Sequence, residues 1–231
     1  MTKYKQVAKA IEEAINSGKY TEKLPTEDVL IELYGASRNT IRNAIDLLVD
    51  NARLYRVHGS GIYIRQNTVE SAIDVMQIRS SMAQFNHSKV TAKVISIEKI
   101  AADEDIAKEL VTKVGTIIYH IKRVRYVDDL PTMIEYSMIN KEIIPYIGQE
   151  IAEGSIFDYI ESDLHLKIGF ADRYLTAEKL SQEDAELFGL EAGEPTLVNN
   201  EKIYLSNGLL FNRSKVFHHY ERTKMYVSAK N

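Results

Sequence analysis

The 231-residue sequence contains no cysteine, so disulfides, thiolate metal sites and cysteine nucleophiles are excluded together. That absence suits a reducing compartment, and the expected location is the cytoplasm. No stretch reaches the roughly 18 consecutive apolar residues that a membrane span requires, and nothing from Met1 to Lys9 resembles the apolar core of a secretory signal. A surplus of positive charge is also missing: the formal net charge is -4, which spread evenly would argue against nucleic acid. The histidines His58, His87, His120, His165, His218 and His219 show neither an H-E-x-x-H spacing nor a cysteine partner. Neighbouring His218 and His219 would alternate faces on a strand and cannot jointly chelate one ion. Neither a metal nor a cofactor is expected, and no paired nucleophile and base or phosphate loop offers a catalytic apparatus.

What is present is ordinary in bulk and uneven in distribution. Hydrophobic residues make up 45% and charged residues 27%, as in globular proteins, and the length admits one large domain or two ordinary ones. Residues 1–65 contain 10 Lys and Arg against 8 Asp and Glu, a balance of +2, and the remainder carries -6. Only the first segment is mildly basic, so a nucleic-acid role must rest on where its charges sit.

From Lys5, the residues Val7, Ala10, Ile11, Ala14 and Ile15 recur at helical spacing until Gly18 stops the pattern. Thr26 is expected to cap a second helix that begins with acidic Glu27 and Asp28 and continues through Leu30, Ile31 and Leu33. After the turn Tyr34-Gly35-Ala36, Ser37 caps a third helix with Ile41, Ala44, Ile45 and Leu48 inward. Its polar residues Arg38, Asn39, Thr40, Arg42 and Asn43 cluster toward the amino-terminal end, which enters the major groove in helix-turn-helix proteins. Leu54 to Val57 and Ile62 to Arg65 then form a hairpin around His58-Gly59-Ser60-Gly61, a wing beside the recognition helix.

These residues resemble the GntR-type winged helix through four motifs in order: Lys23-Leu24-Pro25-Thr26-Glu27, Ala36-Ser37-Arg38-Asn39-Thr40-Ile41-Arg42, Leu54-Tyr55-Arg56 and His58-Gly59-Ser60-Gly61. The resemblance implies DNA contacts by Arg38 and Arg42, backbone support from Ser37, Asn39 and Thr40, and a minor-groove approach by the wing tip at His58, Gly59 and Gly61. The plain alternative for the arginines is solvated surface charge, and for His58 an exposed turn residue. Asp28 departs from the pattern, since many relatives carry arginine there and a carboxylate repels phosphate.

Beyond this domain, residues 67–84 are expected to connect, as a helix or a linker, to an α+β domain over 85–231. Strand alternation appears at Val90 to Lys99, Thr116 to Val127, Met133 to Met138, Arg173 to Ala177 and Thr196 to Leu205, with a final strand pair or bent strand from Leu209 to Val227. Helices are expected at Asp103 to Val111, Ser155 to Ser162 and Ser181 to Phe188. Arg123 and Arg125, two apart on a strand, must project to one face, where they repel unless an anion joins them. Their planar donors match a carboxylate or phosphate. Glu135, across the turn at Asp128-Asp129, is open to two roles: accepting from ligand hydroxyls or neutralising an arginine. Ser155 is likewise open to a capping role or to an anion cradle at a helix start.

The segments Lys122-Arg123-Val124-Arg125, Pro131-Thr132-Met133-Ile134-Glu135, Gly154-Ser155-Ile156-Phe157-Asp158-Tyr159-Ile160 and Leu187-Phe188-Gly189-Leu190 before Pro195 resemble the UTRA ligand-binding domain, which has a chorismate lyase-like fold. The chain is therefore identified as similar to the HutC-type branch of GntR regulators. That resemblance implies a dimeric repressor of double-stranded operator DNA, controlled by a phosphosugar or other anionic metabolite. The implied effector residues are Arg123, Arg125, Glu135, Ser155, Phe157, Asn212 and His218. Asn212 stands where many relatives have glutamate and Phe157 where tyrosine is common, so the hydroxyl pattern recognised must differ. His218 shares its run with Phe217, His219 and Tyr220, where core packing competes with a ligand role. Two other function classes compete: an enzyme using the lyase-like domain on a small carboxylate, and an architectural DNA binder that needs no acidic second domain.

Overall fold

In the computed structural model, which describes residues 2–65, 72–75 and 88–227, the chain divides after Glu70 into two compact units. The first contains α1 (Lys3–Asn16), α2 (Glu27–Tyr34) and α3 (Arg38–Asp50), followed by the antiparallel hairpin β1 (Leu54–Val57) and β2 (Gly61–Ile64). The helical spacing of apolar residues becomes one core: Val7 and Ile11 of α1 meet Ile41, Ile45 and Leu48 of α3, with Leu54 and Ile64 from the hairpin. Gly35 ends α2 in the left-handed region at φ 54° while its N–H bonds to the Ile31 carbonyl. Ser37 Oγ accepts from the Thr40 N–H at 3.2 Å and so starts α3. Thr26 occupies the corresponding position before α2, but its side chain makes no capping hydrogen bond. The hairpin is anchored by Leu24 N–H to Ile62 O at 2.9 Å and Ile64 N–H to Glu22 O at 2.8 Å.

The second unit is built on one six-stranded antiparallel sheet of order β4-β5-β6-β9-β8-β7. Its elements are β3 (Ala72–Asp74), β4 (Val90–Ala101), α4 (Glu104–Glu109), β5 (Ile117–Val127), β6 (Leu130–Asn140), α5 (Gln149–Glu153), α6 (Ile156–Asp158), β7 (Ile168–Lys179), α7 (Gln182–Phe188), β8 (Pro195–Leu205), β9 (Leu210–His219) and β10 (Lys224–Tyr226). The helix expected from Ser155 is one α-turn, α6, running into a π-turn at Tyr159–Asp163.

Two expectations need correction. The stretch from Leu209 to Val227 is two strands, but they do not pair with each other: after His219 the chain leaves the sheet, and β10 pairs in parallel with β3, Met225 opposite Ile73. By the same pairing, part of the expected 67–84 connector is strand, because Ile73 is buried in the second unit at 6% exposure. The rest of that connector lies outside the described residues.

Strand alternation gives the sheet two different faces. On one, α7 packs through Ala185 and Phe188 onto Val124, Ile134, Val198 and Phe217. Lys122 reaches the same helix, pairing with Glu183 at 2.6 Å and Asp184 at 3.0 Å. On the other, Ile121, Ile139 and Ile203 pack with Ile156 and Ile160, and the neighbouring odd positions of β5 and β6 become polar. The β5–β6 turn uses Asp128 and Asp129 at φ 50° and 64°, the pair of left-handed residues of a type I′ turn. A bulge follows: Tyr126 faces Pro131 but Arg125 faces Met133, leaving Thr132 as the extra residue.

Gly169 sits at a second irregularity, between Ile168 and Phe170 of β7, where a Cβ would lie 2.7 Å from Ser206 Cα. Backbone cannot yield as a side chain can. Gly169→Ala is expected to lower stability by about 1–3 kcal/mol, read as a shift of the urea midpoint with unchanged circular dichroism.

Candidate functional site

Two groups of residues stand out, one in each unit. In the first, Arg38 and Arg42 project from the amino-terminal half of α3 with side chains 58% and 56% exposed. Neither is idle in the free protein. Arg38 Nη2 lies 2.6 Å from Asp28 Oδ1, and Arg42 Nε lies 2.8 Å from Glu27 Oε2. The acidic start of α2 thus holds both arginines by exposed pairs, which contribute little to stability. Asp28, the departure from the family pattern, is the partner of Arg38. Asn39 is exposed, whereas Ser37 and Thr40 share a hydroxyl hydrogen bond at 2.9 Å and serve the helix start. At the wing tip His58 and Gly59 are exposed, and Gly59 at φ 73° with Gly61 at φ 131° form the turn.

In the second unit a cavity of about 80 Å³ opens on the sheet face away from α7. Arg123, Arg125, Glu135, Phe157, Asn212 and His218 all line it. Arg123 and Glu135 are direct cross-strand partners in β5 and β6. Arg123 donates through Nε to Glu135 Oε2 at 2.5 Å and through Nη1 to the Ala152 carbonyl at 2.8 Å, while Arg125 Nε donates to Glu135 Oε1 at 3.1 Å. One carboxylate therefore bridges two guanidiniums, the anion that the arginine spacing demanded. Arg125 Nη1 is buried without a partner.

Burial pushes the Glu135 carboxyl upward, but the charges and hydrogen bonds of Arg123 and Arg125 outweigh it and hold the pKa at about 2. Burial lowers Arg123 to about 10, with Glu135 opposing the drop and Arg125 adding to it, so it stays charged. His218 is lowered to about 4, first by burial, with Glu135 opposing and Arg173 assisting, so its ring is neutral near pH 7. Neither ring nitrogen of His218 has a partner. His219, also buried, packs edge-on against Phe188 with ring centroids 5.4 Å apart.

Ser155 is not on the cavity: its Oγ accepts from the Asp158 N–H at 3.1 Å, the capping role, while the following Ile156 and Phe157 reach the lining. The helix it starts is the α-turn Ile156–Asp158, which runs on into the π-turn Tyr159–Asp163. The cavity also holds residues that sequence reasoning passed over. Arg173 and Glu201 are cross-strand partners in β7 and β8, with Nε and Oε1 2.5 Å apart but without hydrogen-bond alignment. Arg173 also donates through Nη1 to the Val75 carbonyl. Asn199, whose Nδ2 donates to Glu201 at 2.7 Å, together with Ser137 and Ser214 completes the polar lining. The available signal was the polar run Asn199-Asn200-Glu201 inside an apolar strand. Ile73, Val75 and Met225 supply an apolar side. Among the described residues, no three His, Asp or Glu side chains cluster as metal donors.

Two stability measurements follow. Glu135→Gln strands two buried guanidiniums and is expected to cost about 3–5 kcal/mol, read by urea unfolding at pH 7. His218 is neutral when folded but protonated below its ordinary 6.5 when unfolded, so its contribution is complete above pH 6.5 and lost as pH falls toward 4. His218→Gln is expected to flatten the fall of melting temperature in that window.

Residues 3–64 match the family described as bacterial regulatory proteins, gntR family, and residues 86–224 match the UTRA domain. The uncharacterized HTH-type transcriptional regulator YydK of Bacillus subtilis (strain 168) is 34% identical, with 99% of this chain and 98% of that protein covered. Its crystal structure superposes over 100% of both chains with a TM-score of 0.85. The mannosyl-D-glycerate transport/metabolism system repressor MngR of Escherichia coli (strain K12) is 28% identical over 92% of this chain and 89% of its own. The histidine utilization repressor of Klebsiella aerogenes is 27% identical, with coverage of 93% and 89%. With both domains matched in order, the chain belongs to the GntR family of bacterial transcription regulators, in the HutC-type branch that joins a winged helix to a UTRA domain.

Proposed function

We propose that the chain binds a palindromic operator as a homodimer in the cytoplasm, and that a small anionic molecule in the cavity changes its affinity for that DNA. One observation carries the effector half: buried ionic and amide groups, several with unpaired atoms, converge on a single concavity. Native interiors leave few such atoms without partners, and a ligand is the economical partner for a set gathered in one place. The two repressors compared above are named for systems that handle mannosyl-D-glycerate and histidine, small polar molecules of this kind. A two-fold dimer suits a palindrome because each recognition helix then meets an equivalent half-site.

Repression follows the relatives named as repressors, and the cavity acts by binding rather than catalysis. Among the described residues its polar groups comprise ion pairs, amides, hydroxyls and a neutral histidine, with no activated nucleophile beside a base. A ligand regulates only if it favours one of two states of the protein, so its affinity must differ between DNA-bound and free forms.

The DNA half is tested with a duplex selected by the purified protein from a random library. Arg42→Ala is expected to abolish binding while the melting temperature hardly moves, since its side chain is 56% exposed. A matching loss of folding would make Arg42 a structural residue instead. Asp28→Asn frees Arg38 from its carboxylate and is expected to tighten binding. Gaining one phosphate contact should steepen the slope of log affinity against log salt by about 0.9.

A further inference from the structure

The cavity carries an unbalanced charge. Among the described residues, five side chains of formal charge line it: the guanidiniums of Arg123, Arg125 and Arg173, and the carboxylates of Glu135 and Glu201. His218 is neutral there, so one net positive charge remains. On the opposite sheet face Lys122 has its own partners in Glu183 and Asp184.

The excess can be placed on one atom group. Arg123 donates to Glu135 and to the Ala152 carbonyl. Arg173 is beside Glu201 and donates to the Val75 carbonyl. Arg125 shares Glu135 through Nε alone, and its Nη1 is buried and unpaired. An uncompensated buried charge is costly, so this is where a ligand anion gains most. Two of the other unpaired atoms have the opposite demand. Asn199 Oδ1 and Asn212 Oδ1 are acceptors without donors, and Asn199 is held in that orientation by its Nδ2 bond to Glu201. They call for ligand hydroxyls.

On the reading that this cavity holds the effector, we propose that the effector is a small hydroxylated monocarboxylate, with its carboxylate on Arg125 and its hydroxyls on Asn199 and Asn212. A phosphomonoester dianion overshoots the single positive charge and leaves an excess negative one beside Glu201 in a poorly hydrated site. A neutral polyol leaves Arg125 uncompensated. The size agrees: at about 10–15 Å³ of such volume per water, the 80 Å³ cavity holds about five to eight waters, the scale of a short hydroxy acid.

The test uses matched ligands that differ mainly in charge: glycerol, glycerate and glycerol 3-phosphate, then glucose, gluconate and glucose 6-phosphate. Binding is measured by calorimetry with the full chain, alongside operator affinity. In at least one series the carboxylate should bind ten-fold or more tighter than both counterparts. Glu201→Gln raises the cavity to two positive charges and should shift preference to the phosphate member. Asn212→Asp cancels the charge and should remove the preference for an anion. Circular dichroism verifies folding of each variant, and either variant alone suffices to read the charge rule. If the phosphate member binds the wild type tightest and its effect on operator affinity disappears in Arg125→Met, the monocarboxylate assignment falls while the effector reading stands. If no member binds, the assignment falls. If ligands change operator affinity equally in wild type and Arg125→Met, both fall.

Discussion

The second unit depends on one carboxylate held between two guanidiniums. Glu135 sits in the middle of a sheet, with strands on both sides, at 8% exposure. Removing water from three charges is expensive, and only their mutual attraction and hydrogen bonds offset it. Hydrophobic residues of the same size would satisfy stability more simply. What the ionic cluster provides is a polar floor in an otherwise apolar sheet face, rigid because every member is tied to another strand or to the carbonyl of Ala152. The neighbouring Arg173–Glu201 pair repeats the device on β7 and β8. Between them, β9 presents Asn212, Ser214 and His218.

The winged helix follows a different logic. Arg38 and Arg42 are exposed and paired with the start of α2, and the buried cluster beneath them is apolar. The two halves of the chain thus place their charges at opposite extremes of burial. Phosphate contacts must be made and broken in water, where exchange of a carboxylate for a phosphate costs little. A pocket that distinguishes small molecules needs the low dielectric in which one charge too many is felt.

Legibility in the sequence tracked how local each feature was. The recognition helix, its Ser37 cap and the wing are encoded in contiguous residues, and the period-two spacing of Arg123 and Arg125 was enough to put them on one face. The partnership with Glu135 was open to two readings because either role uses the same carboxylate. Arg173, Asn199 and Glu201 escaped because their proximity depends on a strand order, β6-β9-β8-β7, that no local pattern announces. The parallel pairing of β3 with β10 was invisible for a stronger reason: it joins three-residue segments from opposite ends of the unit. Ser155 was legible as a cap, the role its Oγ takes toward the Asp158 N–H.

The bulge at Thr132 reaches further than its own turn. Tyr126 faces Pro131, but beyond the extra residue Arg123 faces Glu135 and Arg125 faces Met133. Side chains alternate with a period of two, so the same residues paired without the bulge would bring Ile134 opposite Arg123 and swing Glu135 toward α7. That helix already presents Glu183 and Asp184 to Lys122. A one-residue slip in pairing at a surface turn would therefore act as a charge inversion inside the molecule: too many carboxylates beneath one face of the sheet, and two guanidiniums without a counterion beneath the other. The register of this hairpin is an electrostatic quantity as much as a geometric one.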